Sequence, residues 1–173
     1  MLVTNRRTVV TGLALAAAGS LLRGEAMQQS AQQTMAQVPA TDANAKRTSL
    51  HQEIEFDAAV SRIEAALLDS KQFTAFSGLP ATIDPHEGGA FSMFSGMIVG
   101  RNVELAEGKY LVQAWRPAHW DPGVYSIARF AFRSNGTGTT VVVDHTGFPE
   151  GDYDHLYSGW QEHYWEPLKK FLA

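Results

Sequence analysis

The spacing of apolar residues changes several times after residue 48, and each change predicts a different element. In SLHQEIEF, residues 49–56, the side chains alternate between two faces, which predicts a strand buried on one side. The apolar residues at positions 60, 63 and 67 then follow helical spacing. Asp57 precedes this helix and is expected to cap it. A second short helix is predicted over KQFTAFSG, residues 71–78, ending at Gly78.

From about residue 80 to residue 145 the apolar spacing returns to two, with glycine-containing turns between the segments. The alternating segments are GGAFSMFSG, KYLVQAWR, SIARFAFR and TTVVVDH. NGTG, residues 135–138, separates the last two segments and is typical of a hairpin turn. Strands joined by short turns pair in antiparallel fashion. This part of the chain therefore predicts an antiparallel sheet.

The end of the chain returns to helical spacing. Its apolar stripe consists of Leu156, Trp160, Tyr164, Leu168 and Phe171. Asp152 or Asp154 is expected to cap this helix. Pro167 lacks a backbone donor and is expected to kink or restart the helix near His163. Because so much aromatic surface has to be buried, the helix is expected to pack on the concave face of the sheet, which gives an α+β fold.

Five segments follow one another in a characteristic order and spacing: DAAVSRIEAALLDSKQF, GGAFSMFSG, LVQAWRPAHW, GTGTTVVVDHTGF and SGW. In the order and spacing of these segments, residues 49–173 resemble the START-like (SRPBCC) superfamily, and within it the AHSA-type domains of activators of heat-shock protein 90 ATPase. The resemblance implies the helix-grip fold, in which a curved antiparallel sheet grips a long C-terminal helix. It also implies a cavity between sheet and helix, where many members bind apolar small molecules and some catalyse reactions on them.

Composition and charge argue against several classes of function. The formal net charge is −4 and no basic run, Lys169-Lys170 included, is longer than two residues, so the chain lacks the clustered cations that nucleic-acid binding needs. There is no cysteine, which excludes disulfides, a thiol nucleophile and cysteine-bound zinc. No serine lies in a Gly-x-Ser-x-Gly motif, and no cofactor is predicted.

The N-terminal residues have the features of an export signal. Arg6-Arg7 precede a short apolar run, and small residues at Gly24 and Ala26 form a cleavage pattern. Residues 1–26 are predicted to be a twin-arginine signal peptide, and the Gln/Ala-rich residues 27–48 a disordered linker. The domain is expected to be exported, either periplasmic or secreted, without a stable membrane span after cleavage.

His145 is the main candidate for chemistry, because it ends a strand whose other inward residues are valines. Its ring is expected in or near the cavity, where it orients a ligand or acts as a catalytic acid or base. The alternative is a structural histidine that pairs with a backbone carbonyl or with Asp154. No metal site is predicted: His155 and His163 share a helix face but lie about 12 Å apart along it, too far for one zinc ion. His145 with one helix histidine stays open as a pair of ligands.

The aromatic residues predict an apolar or aromatic small molecule as the partner. Trp120 lies in a Pro/Gly-bounded loop and is expected to act as a lid, and Gly159 is expected to let the sheet come close to the helix. Gln113 and His145 are expected to orient a polar end of the ligand. The predicted ligand-binding residues are Phe91, Met93, Leu111, Gln113, Trp115, Trp120, Phe130, Val143, His145, Trp160 and Tyr164. A solid core remains an alternative explanation of the same rings.

Three functions remain open on the sequence. The first is a domain that binds a hydrophobic small molecule without catalysis. The second is a cyclase- or hydrolase-like enzyme with His145 as acid or base. The third is a protein-interaction or chaperone-associated module, although the predicted export argues against the activation of a cytosolic chaperone ATPase. The oligomeric state is open in all three.

Overall fold

The computed structural model describes residues 46–173. The predicted signal peptide and residues 27–45 of the predicted linker lie outside this range. The guanidinium carbon of Arg47 lies 4.1 Å from the ring centre of Tyr153, and the Thr48 carbonyl accepts a 2.8 Å hydrogen bond from the Gly147 amide. The residues directly before the first strand therefore contact the folded domain.

The described residues form one sheet and a small number of helices. The strands are β1 (Ser49–Phe56), β2 (Thr82–Ile83), β3 (Ala90–Met93), β4 (Ile98–Ala106), β5 (Tyr110–Pro117), β6 (Ser126–Asn135) and β7 (Gly138–Thr146). The helices are α1 (Val60–Leu68), α2 (Ser70–Ser77), α3 (Tyr153–Gly159) and α4 (Glu166–Leu172), with a π-helical turn (Trp160–Trp165) between the last two. We refer to α3, the π turn and α4 together as the terminal helix.

All strands pair in antiparallel fashion, in the order β1-β7-β6-β5-β4-β3-β2. The first strand therefore lies beside the last, with Gln52 opposite Val143. Inward residues of the sheet such as Leu111 and Phe130 are fully buried, as is Leu168 of the terminal helix. A curved antiparallel sheet against a long C-terminal helix confirms the predicted α+β, helix-grip fold.

The helix caps differ in part from the prediction. Asp57 does not cap α1, which begins at Val60 after Ala59 and has no side-chain cap. Asp69 caps α2 instead, because its Oδ1 accepts hydrogen bonds from the amides of Lys71 and Gln72. Asp152 precedes α3 without capping it. Its carboxylate is used elsewhere, in a contact with the loop after β5 described below.

The expected irregularity near His163 is present, and it decides where the aromatic rings lie. The chain forms a π turn over Trp160–Trp165 and restarts as α4 at Glu166, with Pro167 in the first turn. In an α-helix, residues five apart point about 140° apart. In the π turn, Trp160 and Trp165 lie one above the other, with ring centres 5.1 Å apart and planes 13° apart.

Along residues 46–173, no helix has both the length and the apolar character that a membrane span needs. The longest helical stretch is the terminal helix. Its buried side faces the sheet through Trp160, Tyr164 and Trp165, and its other side bears charged residues such as Glu162.

Candidate functional site

A cleft of about 790 Å³ opens along one side of the terminal helix. Its helix side is formed by His155, Leu156, Ser158, Gly159, Glu162 and His163. Its opposite side is formed by Leu79, Met97, Ile98, Pro117, Ala118 and His119. Rings of Phe94, Trp115, Trp160 and Tyr164 lie at the bottom. The volume is within the range of small-molecule sites, about 300–1,000 Å³.

The bottom of the cleft is the outer end of a stack of three indoles. Trp115 of β5 stacks on Trp160, with ring centres 4.6 Å apart and planes 24° apart. Trp160 in turn stacks on Trp165. All three rings are at least 96% buried, so the centre of the seam between helix and sheet is filled. The open space lies beside this stack.

A chain of hydrogen bonds holds Trp160 in place through His145. The Trp160 indole N–H donates to Nδ1 of His145 over 3.1 Å, so Nδ1 is the acceptor and Nε2 carries the proton of the neutral ring. Nε2 lies 2.7 Å from Oγ of Ser126, whose hydroxyl donates to the Trp115 carbonyl over 3.4 Å. Burial lowers the pKa of His145 to about 4, which keeps the ring neutral at neutral pH.

A second chain of hydrogen bonds holds Trp115. Its indole N–H donates to Oε1 of Gln113 over 2.9 Å, and Nε2 of Gln113 donates to Oδ1 of Asn102 over 2.9 Å. Nδ2 of Asn102 donates to the Asp84 carbonyl over 2.8 Å. Gln113 and Asn102 are almost completely buried. These two buried amides are therefore occupied in fixing the indole of Trp115.

The predicted ligand-binding residues divide into two groups. Trp115, Trp160 and Tyr164 line the cleft. The others lie outside its lining, in the buried interior of the domain: Phe91, Met93, Leu111, Gln113, Trp120, Phe130, Val143 and His145. His145 pairs with Ser126 and Trp160, not with Asp154 or a backbone carbonyl. Both ring nitrogens of His145 are engaged, which gives this residue a structural task.

Two local expectations about the cleft are wrong. Trp120 does not form a lid, because its ring is 94% buried and its indole N–H donates to the Asp152 carboxylate. His119 lies at the edge of the cleft in its place. Gly159 does not let the sheet approach, because a Cβ at this position would have no atom within 4 Å. It faces open space along the cleft.

A strained turn forms part of the wall opposite the helix. Phe94, Ser95 and Gly96 follow one another with φ values of 53°, 57° and 88°, and the left-handed region costs a non-glycine residue about 1–2 kcal/mol. The Pro80 carbonyl accepts from the Ser95 amide over 2.8 Å. The turn buries Phe94 under the cleft and leaves Met97 53% exposed at its rim. Strain of this kind is common at functional sites.

The sequence prediction missed several residues of the cleft. Leu79, Met97 and His119 lie in turns and loops, where no periodicity marks a direction. His155, Ser158 and Glu162 had a usable signal, since they follow helical spacing beside the apolar stripe. Tyr164 lies at the bottom of the cleft, and burial raises the pKa of its phenol, which keeps it neutral.

No group of three histidine, aspartate or glutamate side chains within residues 46–173 is arranged to hold a metal ion. His145 does not meet a histidine of the terminal helix, since its ring nitrogens pair with Ser126 and Trp160. The histidines in contact are His119 and His155, with ring centres 5.4 Å apart. Oδ2 of Asp152 lies 3.4 Å from Nε2 of His119.

Comparisons with a family model, with curated proteins and with solved structures all find activators of the 90 kDa heat-shock protein ATPase. Residues 57–173 match the family described as Activator of Hsp90 ATPase homolog 1-like protein. An uncharacterised protein of Schizosaccharomyces pombe is 34% identical over 114 residues, which cover 66% of this chain and 34% of that protein. Activator of 90 kDa heat shock protein ATPase homolog 1 of Homo sapiens is 29% identical over 96 residues, which cover 56% of this chain and 28% of that protein. The chain spans about a third of the length of these curated relatives.

A solved structure with the same architecture is that of an HSP90 activator from Plasmodium falciparum. It superposes with a TM-score of 0.69 at 24% identity, covering 73% of this chain and 96% of that chain. At this identity the superposition establishes the shared fold alone.

Proposed function

The chain belongs to the family of Activator of Hsp90 ATPase homolog 1-like proteins, and on that premise we propose that its domain binds an apolar, aromatic small molecule in the cleft beside the terminal helix. The observation that carries the proposal is the cleft itself, about 790 Å³ with Trp115 and Trp160 at its bottom. The edges of these rings and the side chains of Leu156 and Ile98 offer an apolar ligand a surface to cover.

The rigidity of the cleft bottom supports the same function. Trp115 and Trp160 are each anchored by a buried hydrogen-bond chain, so they do not have to be ordered when a ligand binds. A preformed site loses less conformational entropy on binding than a mobile one. The buried polar residues thus act on the ligand indirectly, by holding the rings that touch it.

Gly159 allows a direct test, because it is helical, lines the cleft and has free space where a side chain would lie. We expect Gly159→Leu to obstruct the cleft while making the helix more stable, since glycine is the poorest helix former after proline. Gly159→Ala is the matched control, with the same helix effect and little lost volume. The measurement is titration with the neutral fluorophore phenylnaphthylamine, together with the melting temperature of each full-length variant.

The expected result is loss of fluorophore binding in Gly159→Leu, retained binding in Gly159→Ala, and a melting temperature at or above that of the parent in both. Equal binding by the parent and Gly159→Leu would refute the cleft as the site. A parent protein that does not bind apolar fluorophores, and that carries no small molecule in native mass spectrometry after purification from its own host, would refute the function.

A second candidate is a protein contact, as the names of the human relative and of the Plasmodium structure suggest. The outer face of the sheet, opposite the terminal helix, offers a surface for it. Ile127 lies in register with Ala114, which pairs with Arg101, and Tyr125 and Ile127 are 47% and 40% exposed. Arg101 and Arg129 have no ion pair within the described residues. The outer-face patch (Arg101, Tyr125, Ile127 and Arg129) combines positive charge with apolar surface, which would suit a partner protein with acidic side chains at its contact surface.

The two candidates depend on opposite faces and are separable by variants. Stimulation of a purified 90 kDa heat-shock protein's ATPase by the full chain, lost in Ile127→Asp and kept in Gly159→Leu, would support the second candidate. Unchanged ATPase rates at saturating concentrations of the parent protein would refute it.

Export from the cytoplasm is part of the small-molecule proposal. The Arg6-Arg7 signal in residues 1–26 supports export by the twin-arginine route, and a domain outside the cytoplasm would meet small molecules rather than a cytosolic ATPase. Fractionation of cells that express the full chain tests this. The parent is expected outside the cytoplasm, and a variant with Arg6→Lys and Arg7→Lys is expected inside. A parent protein that remains in the cytoplasm would refute export.

A further inference from the structure

The polar groups of the cleft are distributed unequally between its two ends. His155 and His163 lie eight residues apart on the terminal helix, which corresponds to about 12 Å along a regular helix. His119 lies beside His155, and Glu162 lies beside His163. We call these the two-histidine end and the glutamate end.

At the two-histidine end, the imidazoles of His119 and His155 meet edge to face, at an angle of 86° between ring planes. The ring nitrogens of His155 have no hydrogen-bond partner within residues 46–173. Nε2 of His119 lies 3.4 Å from Oδ2 of Asp152, so Nδ1 of His119 donates to a ligand only when both ring nitrogens carry a proton. Two imidazoles at one end of the cleft therefore have nitrogen atoms available to a ligand.

The carboxylates near the cleft differ in how strongly they would repel an anionic ligand at the two-histidine end. Glu162 lines the cleft, but at the other end. Asp152 and Asp154, at the start of α3, do not line the cleft. Asp152 accepts the Trp120 indole N–H and lies 3.4 Å from His119, so its Oδ2 is already occupied by donors from the loop after β5. Among residues 46–173, no lysine or arginine lines the cleft, and the indole N–H groups of Trp115 and Trp160 are already bonded. The histidine rings are therefore the cleft's side-chain N–H groups that remain for a ligand.

We propose that the ligand is an aromatic ring system that carries an acidic oxygen group, with its rings beside Trp115 and Trp160 and its acidic group at the two-histidine end. This rests on the proposed small-molecule function and adds the ligand class and the orientation. An imidazole N–H that donates to an anionic oxygen makes a stronger hydrogen bond than one to a neutral oxygen. The glutamate end repels the same group, which fixes the direction in which the ligand lies.

The test uses two fluorophores that differ in one group. Anilinonaphthalene sulfonate has the rings and an anionic sulfonate, whereas phenylnaphthylamine has the rings alone. The affinity of both is measured for the full-length parent, for His119→Phe and for His155→Phe. Phenylalanine keeps an aromatic ring of similar size and removes the N–H groups. His163→Phe, at the glutamate end, is the matched control.

The parent is expected to bind the sulfonate more tightly than the neutral fluorophore. The ratio of the two affinities is expected to fall about fivefold in His119→Phe and in His155→Phe, the upper range for partly exposed charge contacts, and to stay constant in His163→Phe. An unchanged ratio in the first two variants, or a fall in His163→Phe alone, overturns the proposal although binding itself persists. If the parent protein binds neither fluorophore, the proposed small-molecule function is itself refuted. Melting temperatures verify that each variant is folded.

Discussion

Trp160 donates its indole N–H to Nδ1 of His145 over 3.1 Å, and this contact joins the terminal helix to the inner face of strand β7. It also fixes the tautomer of His145, because an indole nitrogen is only a donor. Protonation of Nδ1 would place two N–H groups against each other. The histidine that the sequence suggested as a catalytic base is therefore part of the frame that holds the bottom of the cleft.

The first prediction concerns acid stability. The pKa of His145 is about 4 in the folded state because the ring is buried, against about 6.5 in an unfolded chain. Between these values the unfolded state binds more protons, so stability is complete above about pH 6.5 and falls as the pH drops towards 4. We expect the free energy of unfolding to decrease by about 2 kcal/mol between pH 7 and pH 5 from this residue.

Urea unfolding at both pH values measures the effect, with His145→Gln as the reference. Glutamine can accept from Trp160 but does not titrate, so the variant is expected to lose less stability over this range than the parent. Equal losses in the two proteins would contradict the assignment of the acid sensitivity to His145.

The second prediction compares two glycines. A Cβ at Gly100 would overlap the Ala114 carbonyl oxygen and the Phe91 ring, whereas a Cβ at Gly159 would have open space. We expect Gly100→Ala to lower the free energy of unfolding by about 3 kcal/mol through overpacking. Gly159→Ala is expected to raise it by about 1 kcal/mol through helix propensity. Chemical denaturation measures both changes. Changes in the free energy of unfolding that have the same sign in the two variants would contradict the prediction.

The third prediction addresses the strained turn beside the cleft. Ser95 has a φ of 57°, so Ser95→Gly removes left-handed strain and is expected to increase stability by about 0.5–1 kcal/mol after the entropy cost of glycine. Ser92→Gly, in the neighbouring strand β3, is the control and is expected to decrease stability by a similar amount. A decrease for both variants would show that the turn is not strained in solution.

The fourth prediction tests the hydrogen-bond chain behind Trp115. Gln113→Leu leaves the Trp115 indole N–H and Oδ1 of Asn102 without partners in the interior, at an expected cost of about 3 kcal/mol. Trp115→Phe removes one of these orphaned groups. The double variant is therefore expected to be more stable than the sum of the single changes predicts. Strict additivity in chemical denaturation would show that the two side chains are not coupled.

Much of the architecture followed from spacing alone. Alternation over residues 49–56 and in the segments before His145 placed the strands, because a side-chain period of two is a local property of extended backbone. The stripe from Leu156 to Phe171 placed the terminal helix, and Pro167 indicated the irregularity inside it. Caps were less predictable, because Asp57 and Asp69 both precede a helix and only Asp69 forms the bonds.

The sequence by itself determined that an aromatic helix packs on an antiparallel sheet, because periodicity and apolar content are local properties of the chain. Only the tertiary structure decided which polar groups are left to meet a ligand. His145 and Gln113 looked available in the sequence, yet the indoles of Trp160 and Trp115 occupy them. His119 and His155 come together from a loop and a helix that lie far apart in the chain. Hydrogen-bond partners across such distances are chosen by packing, which no local pattern records.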